Sequence, residues 1–276
     1  MMVQAQESKT AEGRIFNEVI LLLCRQREEA VTKALLELKS QLDDIYHGKT
    51  RPSDYAMCQM GLALIDFGLG DHDEARRLGA NAQKICGGEE HIVSNAMVMF
   101  SNMGDLEAAH RSARDTWKHA TGNITILKAA AGVFERALDF GAMAECIDAI
   151  VNLESSEDQA RIFAARKALA VGLASRAEHA HLSPKDLLAR ATCAVRAIQS
   201  NDRKIFWIAL RGSHPNAVTL EFQVNAPHDV CAELNFAVAD ALTSQFNDTG
   251  VDVITMAVRS YPGSPQFVRS IEISHA

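Results

Sequence analysis

The sequence has 276 residues, of which 47% are hydrophobic and 23% are charged, and its formal net charge is −7. This composition is ordinary for a folded globular protein and excludes a largely disordered chain. The negative charge argues against a general nucleic-acid binder, because neutralising phosphates needs clustered Lys and Arg. No stretch reaches the ~20 apolar residues that span a bilayer, and no leader peptide is visible, so we expect a cytoplasmic protein without membrane insertion.

The sequence carries no motif for cofactor or metal chemistry. Its six cysteines contain no Cys-x-x-Cys pair, and helix-like surroundings favour buried thiols in a reducing compartment. Phosphate-binding glycine loops and the Gly-x-Ser-x-Gly nucleophile motif do not occur. The string from Glu178 to His181 contains two His, but at a helix end their side chains point apart. We therefore expect no cofactor, no metal site and no catalytic residue.

The N-terminal part of the chain has the pattern of helices. From Arg14 to His47, apolar residues recur at helical spacing, which predicts either one long helix or a helical hairpin. The segment Gly48–Asp54 contains Gly, Pro and Ser and is typical of a loop. This region is expected either to cap the first unit of the helical region that follows or to occupy its groove.

A repeated phrase marks the middle of the chain. Gly70-Asp71 and Gly104-Asp105 each open a similar stretch, and the two lie 34 residues apart. Gly suits the left-handed position after a helix, and Asp caps the next helix. A second step of 34 reaches Leu138, where we expect the turn glycine to slip to Gly141, and a third step reaches Gly172.

Residues from about 56 to 189 resemble four degenerate tetratricopeptide repeats, which are stacked pairs of antiparallel helices. The 34-residue period and the small residues Ala63, Ala75 and Ala82 carry the resemblance. The aromatic and proline positions of the family are mostly absent, so a related hairpin repeat remains an alternative for the third and fourth units. An irregular helical bundle with chance spacing is a further alternative. Ser183-Pro184 predicts the start of a closing helix that ends near Gln199.

After residue 201 the hydrophobic pattern changes from helical spacing to alternation. The alternation predicts strands and one helix in the order β-β-α-β-β, at Lys204–Arg211, Ala217–Asn225, Pro227–Phe246 (the helix), Val251–Arg259 and Gln266–Ser274. The predicted fold class is therefore α+β and mostly α, with a tetratricopeptide-like α-solenoid followed by a small sheet. The corresponding domains are residues 1–201 and 202–276.

The resemblance implies a binding groove lined by the first helix of each repeat. Positions that face the groove in the family correspond here to an apolar end, which includes Met57 and Met60, and to a polar end. In the fourth unit they include Ile162. The polar candidates for contact with a carboxylate or an acidic peptide are Asn95, Asn102, Lys128, Arg136 and Arg166.

The sequence therefore predicts a protein-binding protein, such as an adaptor, chaperone or regulator, whose partner is a protein or peptide. One alternative is an enzyme whose sheet domain is catalytic and whose repeats are a targeting arm. Another is a self-associating structural scaffold. Because an open sheet has free edges, the sheet domain is also predicted to form a homodimer or to bind a peptide.

Overall fold

The computed structural model describes residues 10–23, 29–48, 51–120, 122–212, 216 and 218–261. These ranges contain helices α1 (Ala11–Leu23), α2 (Glu29–Tyr46), α3 (Pro52–Leu69), α4 (His72–Ile85), α5 (Glu90–Asn102), α6 (Leu106–Trp117), α7 (Ile124–Arg136), α8 (Phe140–Leu153), α9 (Glu157–His179), α10 (Pro184–Gln199) and α11 (His228–Gln245), and strands β1 (Ile205–Arg211), β2 (Thr219–Val224) and β3 (Thr255–Ser260). The predicted α+β class with mostly helix is confirmed. Within these ranges no helix is long and apolar enough to cross a membrane.

The described residues form two compact units, which divide after Met99. In the first unit, α1 and α2 both pack against α3, and α3 packs against α4. The region from Arg14 to His47 thus contains two helices, while residues 24–28 lie outside the described ranges. An ion pair of 2.5 Å between Lys39 on α2 and the buried Asp66 on α3 helps to hold these two helices together.

Three turns share one backbone geometry: those between α3 and α4, between α5 and α6, and between α7 and α8. Gly70, Gly104 and Leu138 have φ of 84°, 84° and 59°, and each lies 34 residues after the one before. The Asp that follows each of them donates its backbone N–H to a carbonyl in the last turn of the helix: Asp71 to Asp66 at 2.8 Å, Asp105 to Phe100 at 2.9 Å and Asp139 to Phe134 at 2.9 Å. This is the Schellman arrangement, and it gives the 34-residue period a structural basis.

The predicted slip of the third turn glycine to Gly141 is wrong. Leu138 itself adopts the left-handed conformation, and Gly141 lies in the first turn of α8. A left-handed backbone costs a residue with a side chain roughly 1–2 kcal/mol. The Leu138 side chain is completely buried, and this apolar burial offsets the cost.

The predicted third step, to Gly172, is also wrong, because Gly172 lies inside α9, a helix of 23 residues. The next left-handed turn comes at His181, with φ of 56°. The predicted helix start at Ser183-Pro184 is confirmed: Ser183 and Asp186 form a reciprocal capping box at the start of α10. Because α9 packs against α8 whereas α10 packs against α6, α11 and β1, the last two helices depart from the earlier hairpins.

The three strands form one sheet in the order β1-β2-β3. The predicted hairpin is confirmed, because β1 and β2 pair antiparallel. β3 pairs parallel to β2 after the crossover through α11. The third strand begins at Thr255 and not at Val251, because Val253 and Ile254 donate their backbone N–H groups to the Gly250 carbonyl in a turn.

The sheet belongs to the same compact unit as α6–α10, and β1 packs against α7 and α10. The predicted fourth strand, Gln266–Ser274, lies outside the described residues. The division into domains of residues 1–201 and 202–276 stays a prediction.

Two glycine substitutions compare a left-handed turn position, Gly104, with a helical position, Gly141. A Cβ at Gly104 lies 2.7 Å from Cγ1 of Val195 and requires a left-handed alanine, so we expect Gly104→Ala to lower the free energy of unfolding by about 2–3 kcal/mol. At Gly141 a Cβ meets nothing within 4 Å, so Gly141→Ala stabilises by about 0.5–1 kcal/mol. Urea unfolding measures both changes, and a destabilised Gly141→Ala variant would contradict this turn assignment.

Candidate functional site

Two of the predicted groove residues, Asn95 and Asn102, are buried side chains of α5. The Asn95 amide donates to the carbonyl of His91, one turn earlier in the same helix, at 2.7 Å. Among the described residues, neither amide atom of the Asn102 side chain has a hydrogen-bond partner. Because both side chains are covered, neither is placed to contact a partner from solution in this conformation.

Arg136, at the end of α7, is also buried, and strand β1 covers it. Its Nε donates to the backbone carbonyl of Ile208 at 2.8 Å, and its Nη1 donates to the Ser101 hydroxyl at 3.3 Å. The guanidinium carbon lies 5.0 Å from the ring centroid of Trp207, within cation–π range. Burial lowers the pKa of Arg136 to about 10, so the side chain remains charged at neutral pH.

The predicted role of Arg136 in an open groove therefore needs correction. In this conformation the guanidinium binds a strand of its own chain, because residues 205–211 return to α7 after the helical region. No local sequence pattern indicates this contact, since Arg136 and Ile208 are 72 residues apart.

Lys128 and Arg166 are less buried, and each is paired with a carboxylate. Lys128 on α7 lies 3.1 Å from Glu154, and its ammonium is 5.5 Å from the ring centroid of Phe163 on α9. Arg166 on α9 forms an ion pair with Glu135 on α7, which raises the pKa of Arg166. An acidic peptide would have to displace these carboxylates, so the pairs weaken the prediction of an acidic ligand.

The ion pair between Arg166 and Glu135 defines a surface shared by α7 and α9, to which Ile162 also belongs. Ile162 lies one turn before Arg166 on the same face of α9, and it is 52% exposed. We call Lys128, Glu135, Glu154, Ile162 and Arg166 the α7–α9 surface. It presents an apolar side chain beside polar groups that carry no net charge as a set.

A second polar cluster centres on Asp139, the N-cap of α8. One carboxylate oxygen accepts from His110 Nε2 at 2.8 Å and from Arg114 Nη2 at 2.6 Å, and the other accepts from the backbone N–H of Ala142 at 3.2 Å. Burial by itself would raise the pKa of Asp139, but these hydrogen bonds outweigh it and lower the pKa. The cluster ties α6 to the start of α8, which is a structural role.

The charged groups on the sheet are arranged as cross-strand pairs. Glu221 on β2 lies 3.3 Å from Arg211 on β1 and 3.9 Å from Arg259 on β3. Such pairs stabilise neighbouring strands. In the described part of the chain, no group of three or more His, Cys, Asp and Glu residues is placed to hold a metal ion.

The outer edge of β3 is partly covered by a side chain of α11. Thr255 and Tyr261 point their N–H groups towards β2, so the backbone groups of Val258 face the opposite edge. Asn235 binds both of them: its amide donates to the Val258 carbonyl at 3.0 Å, and its Oδ1 accepts from the Val258 N–H at 2.8 Å. Another strand would have to displace Asn235 to pair with the centre of β3, and the predicted homodimer through this sheet stays a prediction.

No protein-family model, no curated protein and no solved structure matches this chain. The likeness to tetratricopeptide repeats therefore rests on the 34-residue spacing and on the turns that follow it. Membership of that family stays a prediction.

We expect Asp139→Asn to lower the free energy of unfolding by about 1.5–3 kcal/mol at neutral pH, because charge-assisted hydrogen bonds are lost. Since the pKa of Asp139 is lowered in the folded state, its contribution is present above the unfolded pKa of ~3.9 and is lost as pH falls through the folded pKa. Urea unfolding across acidic pH measures the difference. Asp148→Asn, which changes an exposed carboxylate, is the control, and identical pH profiles for the two variants would contradict the cluster.

Arg136→Ala removes the buried contact with β1. We expect it to lower the free energy of unfolding by about 2–4 kcal/mol, because it leaves a covered carbonyl of Ile208 without its donor. Arg196→Ala, at an exposed position 3.8 Å from Glu107, should change stability by no more than about 0.5 kcal/mol. Equal stabilities of the two variants in urea would argue that Arg136 is not covered by β1.

Proposed function

We propose that this chain is a protein-binding helical-repeat protein, and that a segment of its partner binds along the α7–α9 surface. The observation that carries the proposal is Ile162, an apolar side chain left half exposed one turn before Arg166, whose ion pair with Glu135 joins α9 to α7. The first helices of tetratricopeptide repeats bind partner segments on such a surface, which supports the assignment by resemblance. An adaptor, chaperone or regulator would each use it in this way.

The chemistry of the surface favours a partner segment with an apolar side chain in place of an acidic one. Covering Ile162 removes apolar area from water, which contributes about 25 cal/mol per Å². Glu135 offers a hydrogen-bond acceptor and Arg166, whose side chain is 34% exposed, offers donors to the amide groups of a bound segment. Because each cation already has its carboxylate, a ligand carboxylate gains little there.

The test compares two aspartate substitutions at positions of equal exposure. Ile162→Asp places a charge on the α7–α9 surface, whereas Leu36→Asp places one on α2, where Leu36 is also 52% exposed. Both proteins and the wild type are used to capture partners from native lysate, and the captured proteins are quantified by mass spectrometry. We expect at least one protein to be retained by the wild type and by Leu36→Asp and to fall about tenfold with Ile162→Asp, a loss of about 1.4 kcal/mol in binding.

Circular dichroism and urea unfolding first establish that both variants remain folded, as expected for exposed positions. The proposal fails if every captured protein is recovered equally by Ile162→Asp and Leu36→Asp. If recovery of a captured protein depends on Ile162, the segment of that protein that binds the α7–α9 surface can be mapped.

A further inference from the structure

Phe16 of helix α1 contacts both α3 and α5, the first helices of two consecutive helix pairs. Its Cδ2 atom lies 3.8 Å from the position that a Cβ would take at Gly61 on α3. Its ring centroid lies 6.2 Å from that of His91 on α5, and the two rings meet edge to face. All three residues belong to the first compact unit. In the tetratricopeptide repeats that this region resembles, the first helices line the ligand groove, so α1 lies where a ligand would bind.

Helix α1 packs in register along two glycines of α3. Phe16 faces Gly61, and Leu23, seven residues later, faces Gly68. Because the two contacts follow in the same order on both helices, α1 and α3 run in the same direction. A Cβ at Gly68 would lie 2.6 Å from Cδ2 of Leu23, which is closer than side chains pack. The close approach of the two helices therefore depends on glycine at this position.

The buried side of α1 has the residue pattern of a helix that binds in a groove. Four apolar residues on this side are buried and occupy positions i, i+3, i+4 and i+7: Phe16, Val19, Ile20 and Leu23. Amphipathic helices that bind in hydrophobic grooves place their anchors at this spacing. We call these four residues the α1 anchors. The other side of the helix is exposed at Arg14, Glu18 and Leu21.

The side of α5 that meets Phe16 keeps buried polar atoms without hydrogen bonds. Among the described residues, His91 Nε2 and Asn95 Oδ1 have no hydrogen-bond partner. The Glu89 carboxylate lies 3.4 Å from His91 Nε2 but outside hydrogen-bond geometry. Asn95 follows His91 by one turn on the same side of α5. Buried polar atoms without partners oppose packing, and burial also lowers the pKa of His91. Helix α1 is therefore an imperfect occupant, which another helix can improve upon.

We propose that α1 is a replaceable internal ligand, and that an amphipathic helix of a partner protein takes its place between α3 and α5. The partner's helix carries apolar residues at the spacing of the α1 anchors, because these are the side chains that the glycine positions of α3 accept. As part of the same chain, α1 competes at an effective concentration on the order of millimolar, so weak ligands are excluded. The α7–α9 surface belongs to the second compact unit and is not involved.

Native-state hydrogen exchange of the wild-type chain measures whether α1 opens by itself. A replaceable helix exchanges its amide hydrogens through a local opening, so we expect rates in α1 at least tenfold above those of the most protected amides of α3. An integral core helix exchanges only when the whole unit unfolds. Equal rates in α1 and α3 would overturn the proposal, and this measurement needs no variant.

A peptide copy of α1 tests the replacement itself. The probe is a fluorescent peptide with the sequence of residues 10–23, which stands in for a partner's helix, and anisotropy measures its binding to the full chain. Phe16→Ala in the full chain weakens the internal helix, so the peptide should bind this variant at least tenfold more tightly than the wild type. Leu21→Ala is the matched control on the same helix, because Leu21 is 56% exposed, and it should bind the peptide like the wild type.

Circular dichroism and urea unfolding first establish that both variants remain folded, and if Phe16→Ala unfolds, the hydrogen-exchange result decides. Equal binding of the peptide to folded Phe16→Ala and Leu21→Ala overturns the proposal, as does equal binding of a peptide that itself carries Phe16→Asp. Sedimentation velocity tests a different occupant. If the wild type dimerises and the free peptide dissociates the dimer, a second copy supplies the helix, and the proposal of a separate partner is overturned.

Discussion

The contact between Arg136 and strand β1 determines which parts of the helical region remain accessible. A guanidinium buried without acceptors would be strongly unfavourable, so the Ile208 carbonyl, the Ser101 hydroxyl and the Trp207 ring are needed where they are. These contacts keep β1 against the end of α7. A ligand at this position would have to replace a strand that is already hydrogen-bonded, so binding from solution is expected elsewhere on the helices.

Two of the exposed apolar side chains in the second compact unit, Ile162 and Val171, lie on α9. Helix α9 is longer than its neighbours. The helix that follows it, α10, packs against the sheet and α6. Two sides of α9 are therefore left without a covering helix in the described chain. Ile162 on one side lies one turn before Arg166, which pairs with Glu135 of α7, and Val171 on the other side is half exposed.

Much of the fold was predictable because it depends on local patterns. Alternating residues predicted the β1–β2 hairpin, and Ser183-Pro184 predicted the start of α10. The Leu138 turn was missed because leucine rarely adopts a left-handed backbone, and its burial depends on packing that a single sequence does not reveal. The covering of Arg136 was missed for a related reason: the contact joins residues 72 positions apart. The residue types correctly indicated polar side chains at the candidate site, but they did not indicate that Asn95, Asn102 and Arg136 are buried.

The central claim is that Arg136 and Trp207 hold the sheet against the helical region as one packed contact. The most direct measurement is a double-mutant cycle in urea with Arg136→Met, Trp207→Leu and the double variant. Direct contact at 5.0 Å predicts that the two changes in the free energy of unfolding are coupled by about 0.5–2 kcal/mol, with the double variant losing less than the sum of the single losses. Additive losses within about 0.3 kcal/mol would contradict the contact, and with it the conclusion that strand β1 covers Arg136.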